Sequence, residues 1–180
     1  MLLTVRPFRA DEADVLRDLR FEALADLPMA FGEHLDHARA IGGEDFSVAL
    51  RDRAVWGAFD GDAPVAMAGL RRAIGANLRH RASIVAVYVS PRARGAGAGR
   101  ALMQGLIAHG VGLEIEIFEL SVGDFNAPAL KLYESLGFEK IGFLRNATKI
   151  APDYTAEIQM ALFVQPDGTT FTTTSAAQLV

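Results

Sequence analysis

Two stretches of the chain carry residue types and spacings suited to chemistry. The first is Arg94-Gly95-Ala96-Gly97-Ala98-Gly99-Arg100. Alternating glycine and alanine keep bulky side chains out of this loop, so several backbone N–H groups can converge on one anion, and a helix starting there adds its positive end. That geometry suits a pyrophosphate. The second stretch runs from Asn126 to Tyr133 and on to Gly137-Phe138. Asparagine is a good helix N-cap, Pro128 is tolerated in a first turn, and Gly137 stops the helix. Seven helical residues return to within about 20° of the same face and advance about 10 Å, so Asn126 and Tyr133 can touch one extended ligand arm.

Other phosphate loops compete for the first stretch. A Walker A loop is excluded, because no Gly-Lys-Ser/Thr follows the glycines. A dinucleotide fingerprint fits poorly: Arg100 stands where the third glycine belongs, and residues 63–113 hold no acid to take a ribose. What remains is Arg94-x-x-Gly97-x-Gly99, or a plain glycine-rich turn. Here the sequence resembles the GNAT superfamily of acyl-CoA-dependent N-acyltransferases, whose Gln/Arg-x-x-Gly-x-Gly/Ala signature follows a strand and opens a helix. The second stretch, Asn126-x-x-Ala129-x-x-x-Tyr133-x-x-x-Gly137-Phe138, resembles that family's other signature and lies in the expected order. A Pro28-x-Ala30-Phe31-Gly32 segment also recurs there.

The elements that must position these residues can be read from periodicity. Residues 2–6 read as a strand. Asp11 is the expected cap of a helix to residue 25, with Val15, Leu16, Leu19, Ala23 and Leu24 as its apolar stripe. A weaker helix is expected over 31–40, ended by Gly42-Gly43, with a short helical piece through Phe46 and Leu50. Residues 54–59 and 64–70 read as strands around an Asp60-Gly61-Asp62 hairpin turn. Val85, Val87 and Val89 mark the strand before the glycine loop, and Leu102, Met103, Leu106 and Ile107 mark the helix after it. Residues 114–122 read as a strand with Phe118, Leu120 and Val122 on one face and Ile117, Glu119 and Ser121 on the other. Two more strands are expected near 139–145 and 156–164. The domain is expected to span 1–164, with the threonine-rich tail 165–180 left unassigned.

Composition fits one globular domain: 180 residues, 51% hydrophobic and 22% charged. The absence of cysteine excludes disulfides, thiolate zinc sites and an acyl-cysteine intermediate. No histidine has ligand-like spacing with carboxylates, so no metal site is expected. No apolar run approaches the ~20 residues of a membrane span, and no secretory signal pattern opens the chain, so a cytoplasmic location is expected. Net charge is −4, but residues 63–113 hold seven arginines and no acid, whereas the rest carries twenty-two acids against eleven bases. A basic segment can be a solvated face or a nucleic-acid surface. With a pI near 5.5 and only Tyr88 among the arginines, coenzyme A is the better partner.

The resemblance implies an α/β GNAT fold: a mixed sheet of about seven strands, splayed in the middle and flanked by about four helices. It implies an N-acetyltransferase moving an acetyl group from acetyl-CoA to a primary amine by direct attack in a ternary complex. By the same resemblance, backbone groups around Val87, Tyr88 and Val89 and the side chain of Asn126 would hold the pantetheine arm. Arg94, Gly95, Ala96, Gly97, Ala98, Gly99 and Arg100 would hold the pyrophosphate, and Tyr133 would protonate the leaving thiolate. The amine must also lose a proton, since its pKa near 10 leaves it mostly charged at neutral pH. Some relatives place a glutamate twelve residues before the tyrosine, where this chain has Ser121, so Glu33, His34 and Glu119 are the candidate bases. The charge distribution points to a small cationic acceptor. Alternatives are a protein or peptide N-terminus as acceptor, or a CoA-binding regulatory module without turnover. A homodimer is compatible with the family.

Overall fold

A computed structural model describes residues 2–41, 50, 54–150, 152–165 and 169. The strands are β1 (Leu3–Pro7), β2 (Val55–Asp60), β3 (Ala63–Arg72), β4 (Arg81–Val89), β5 (Ile117–Gly123), β6 (Glu139–Ile150) and β7 (Asp153–Phe163). The helices are α1 (Ala13–Asp26), α2 (Leu35–Ile41), α3 (Ala98–Gly112) and α4 (Ala127–Ser135). The strands form one mixed sheet in the order β1-β2-β3-β4-β5-β7-β6, antiparallel at every junction except the parallel β4–β5 pair.

Apolar side chains on the two faces build two cores. On one face, Leu102, Met103 and Leu106 of α3 pack with Ala82, Ile84, Phe118, Leu120 and Val122. On the other, Leu16, Leu19, Ala23 and Leu24 of α1 pack with Phe59, Met67 and Tyr88. Val15, expected in the α1 stripe, is 40% exposed, because the buried face centres on the 16-19-23 line. Asp11 does not cap α1. A 3₁₀ turn, Ala10–Glu12, precedes the helix, and Glu12 accepts the Arg9 N–H at 2.7 Å while Arg6 donates to both its oxygens at 2.8 Å. The second helix is shorter than expected, since a 3₁₀ turn at Pro28–Ala30 and an extended Phe31 precede α2. The expected stop at Gly42-Gly43, the piece through Phe46 and nearly all of the tail lie outside the described residues; Leu50 itself is buried.

The β2–β3 hairpin turns at Gly61, whose φ of +62° suits a residue without Cβ. β5 begins at Ile117 rather than 114, because the Ile115 N–H still folds back onto Gly110 and Glu114 sits at φ +61°. Its two faces divide as the alternation predicts. β6 and β7 are longer than expected, at 12 and 11 residues, because they continue as a hairpin beyond the sheet's other strands.

One irregularity shapes the centre. Met67 pairs with Tyr88 and Gly69 with Val85, so β4 spends one more residue than β3 over that interval. The surplus falls at Ala86, at φ +53°. Ile84 and Tyr88 have the same parity yet lie in opposite cores, whereas Val87 and Val89 pack toward the α3 side. This is a β-bulge that reverses the strand's faces. β4 and β5 also part early: they pair only over Arg81↔Ile117, Ala82↔Phe118 and Ser83↔Glu119. The sheet is thus splayed along the rest of both strands.

Candidate active site

The opening between β4 and β5 forms a cleft of about 610 Å³. Its walls include residues 83–87 of β4, residues 119–123 of β5, and Asn126 and Tyr133 of α4. β5 is fully paired with β7 on its far side, so the opening does not dissolve the sheet. The cleft therefore offers unpaired strand edges to an extended ligand.

The glycine loop follows the end of β4, beyond the residues that line this cleft. Gly95 and Gly97 have φ of +76° and +83°, which turns successive peptide groups inward. Among the described residues, no backbone carbonyl accepts the N–H of Gly95, Gly97, Ala98, Gly99 or Arg100. Three of these are the unsatisfied donors of the first turn of α3, a 15-residue helix whose positive end points the same way. Gly99 plays a different part, since a Cβ there would come within 3.2 Å of both the Leu132 and Val89 side chains, which would have to give by a few tenths of an ångström. The loop is held from outside. Arg94 donates through Nε to the Val89 carbonyl at 3.1 Å and pairs with Asp26 of α1, and Arg100 donates to Ser135 Oγ at 2.6 Å.

Asn126 Oδ1 accepts the Ala129 N–H at 3.2 Å, capping α4 and leaving its amide NH₂ available to the cleft. Tyr133, 5% exposed, packs its ring 5.9 Å from that of Phe138. Burial pushes its phenol above the usual tyrosine value, so the hydroxyl is a proton donor at any physiological pH. Tyr88 follows the bulge to the other face: its hydroxyl bonds Glu22 at 3.1 Å and Asp26 at 3.3 Å, so only its backbone remains near the opening. Val87 lines the cleft.

Of the base candidates, Glu119 lies in the cleft wall, with both oxygens engaged by Arg81 at 2.6 and 3.3 Å. Glu33 stands behind the wall, bound to Arg20 at 2.9 Å, and His34 is exposed. Among the described residues the charged groups in the wall are Arg20, Arg71 and Glu119, so the acidic excess of the flanking segments is not reproduced in that set. Nor does the arginine-rich segment face only the loop: the β3–β4 pairing sets Arg71 and Arg81 at the opposite end of these strands. Sequence reasoning missed Arg20, Arg71, Ser83 and Gln159 as lining residues. The Phe31-Gly32 pair does line the cleft, so that short segment was a usable signal.

Residues 16–138 match the model of the Acetyltransferase (GNAT) family. The chain belongs to the GNAT acetyltransferase family. Similar solved structures include an acetyltransferase of the GNAT family from Streptococcus pneumoniae, with TM-score 0.81, 16% identity and coverage of 91% of this chain and 100% of that one. yncA from Salmonella typhimurium, solved with its cofactor acetyl-CoA, superposes with TM-score 0.78 at 17% identity over 97% of this chain and 100% of its own. A ribosomal-protein-alanine N-acetyltransferase from Brucella melitensis gives TM-score 0.77 at 22% identity, covering 89% of this chain and 99% of its own. At these identities the likeness is one of fold. Within that GNAT fold, the free donors of the glycine loop and the unpaired edge of β4 fit acetyl-CoA.

Proposed function

We propose that this GNAT protein transfers an acetyl group from acetyl-CoA to a primary amine by direct attack within a ternary complex. The observation that carries this reading is the row of unpartnered backbone donors at the start of α3, which follows the strand whose open edge lines a cleft with a buried, neutral phenol in its wall. Acetyl-CoA supplies the activated thioester. The loop N–H groups bind its pyrophosphate, the Asn126 amide and the open edge of β4 at Val87 orient the arm, and Tyr133 lies toward the reacting end. As the amine nitrogen bonds to the carbonyl carbon, the carbon–sulfur bond breaks and Tyr133 gives its proton to the departing sulfur. The ammonium proton leaves to Glu119, in competition with Arg81, or to water in the cleft. Tyr133 is then reprotonated from solvent.

Initial rates of thiol release over a matrix of acetyl-CoA and amine concentrations test this directly. Intersecting reciprocal plots with stoichiometric N-acetyl product are expected. Parallel plots with a covalent acetyl-enzyme overturn direct attack, and tight acetyl-CoA binding without thiol release for any amine overturns the transferase reading in favour of a CoA-binding module.

A further inference from the structure

The half of the cleft nearest α1 has a charge pattern that acetyl-CoA binding does not use. Arg71 pairs with Ser83 across β3 and β4, and Ser83 with Glu119 across β4 and β5, so the three side chains form one row on the face away from α3. Cross-strand neighbours stand about 5 Å apart at Cβ, which makes this row about 10 Å long. All three residues line the cleft. Glu119 is already neutralised by Arg81. Arg71 has no hydrogen-bond or ion-pair partner among the described residues.

A second guanidinium lines the same space. Arg20 stacks 4.6 Å over the Phe31 ring and donates through Nη2 to Glu33, while its Nη1 is buried without an acceptor. Taking the described charged wall residues with their ion-pair partners, three guanidiniums (Arg20, Arg71, Arg81) face two carboxylates (Glu33, Glu119), leaving one positive charge over in that set. A polyamine meets repulsion in such a site. An amine that also carries a carboxylate meets an unpaired guanidinium with the geometry to bind it through two parallel hydrogen bonds.

We propose that the acceptor is a free amino acid, its carboxylate bound by Arg71 with the Ser83 hydroxyl beside it, and with Arg20 adding its charge to the same wall. This rests on the acetyl-transfer reading above and names its substrate class. β4 and β5 stop pairing at Ser83, so the opening toward the rest of the cleft begins beside this anchor. A peptide N-terminus, whose neighbouring carbonyl is uncharged, gives Arg71 nothing comparable to bind.

The test compares kcat/KM at saturating acetyl-CoA for leucine, methionine and phenylalanine with their primary amides and with short peptides starting in the same residues. The amides and peptides hold more free amine at neutral pH, so the comparison is weighted against the proposal. The expected result is a preference for the acids of about 10- to 100-fold, the range of a charge-assisted contact. In Arg71→Met the acid-to-amide ratio should fall to within about 3-fold of unity, and Arg71→Lys should restore part of it. Amides or peptides turned over as well as the acids, or a ratio unchanged in Arg71→Met, overturn the carboxylate anchor while leaving acetyl transfer standing. Absence of thiol release with every amine overturns acetyl transfer itself, and this assignment with it.

Discussion

Replacing Gly97 separates charge from backbone geometry at the pyrophosphate loop. Gly97 sits at φ +83° and ψ 2° as N-cap of α3, and a Cβ there would meet no protein atom within 4 Å. Aspartate and asparagine are alike in size, both enter the left-handed region more readily than other residues, and both cap helices. Gly97→Asp and Gly97→Asn therefore share a backbone cost and differ by one negative charge. In the free protein that charge faces the positive end of α3 and should make the Asp variant more stable than the Asn variant by about 0.3–1 kcal/mol. With a pyrophosphate in the loop the sign reverses. A carboxylate roughly 6 Å from two phosphate charges, at an effective dielectric of about 40, opposes binding by about 3 kcal/mol. That corresponds to a Kd for acetyl-CoA about a hundredfold weaker in Gly97→Asp than in Gly97→Asn. Calorimetric titration with acetyl-CoA reads the second effect, and thermal unfolding of the unliganded variants reads the first. Equal affinities of two folded variants would refute the placement of the pyrophosphate.

Three further outcomes follow from groups already described. Tyr133→Phe keeps the ring packed against Phe138 and should leave acetyl-CoA affinity unchanged while lowering kcat on the order of 10²-fold; wild-type kcat with chemistry shown to be rate-limiting removes the phenol from the reaction. Because burial raises that phenol, its ionisation should cause no alkaline loss of kcat below about pH 10. Glu12 is the third case: the paired Arg6 guanidinium draws its carboxyl down to about 2 from 4.5, so its contribution is fully present above about pH 4.5 and is lost as pH falls toward 2. Glu12→Gln should destabilise the fold at pH 7 by about 1 kcal/mol once solvent screening of the pair is allowed for, with the difference from wild type fading in acid; urea unfolding of both proteins at pH 7 and pH 3 measures it, and a pH-independent difference contradicts the ion pair.

The parts of the fold legible in the sequence are those whose determinants are local. The glycine loop, the Asn126 cap and the Gly61 turn each depend on backbone demands met within a few residues, and the alternation of β5 reports its faces directly. Where distant partners decide, reading along the chain fails. Asp11 is the better cap by residue type, yet Arg6 folds over and holds Glu12, whose carboxylate accepts the Arg9 N–H. Nothing near Arg94 announces that Asp26, at the end of a helix on the other side of the sheet, will pair with it. Arg71 and Ser83 become neighbours only through strand register, and Arg20 joins the cleft only because α1 crosses that face. The charge census does not report the make-up of the cleft wall, for a related reason. It averages over segments, whereas a binding site samples a handful of side chains drawn from several of them.

The bulge at Ala86 also determines which changes of length this strand can survive. Removing that one residue would restore simple alternation and leave the sides unchanged, with Val87 and Val89 still toward α3 and Tyr88 still toward Glu22 and Asp26. The loss of one residue here is therefore absorbed by loss of the bulge, whereas a one-residue change in a regularly paired strand exchanges the sides of every position beyond it. Substitution obeys a different rule. At φ +53° and exposed to solvent, Ala86 is replaceable by glycine with relief of strain.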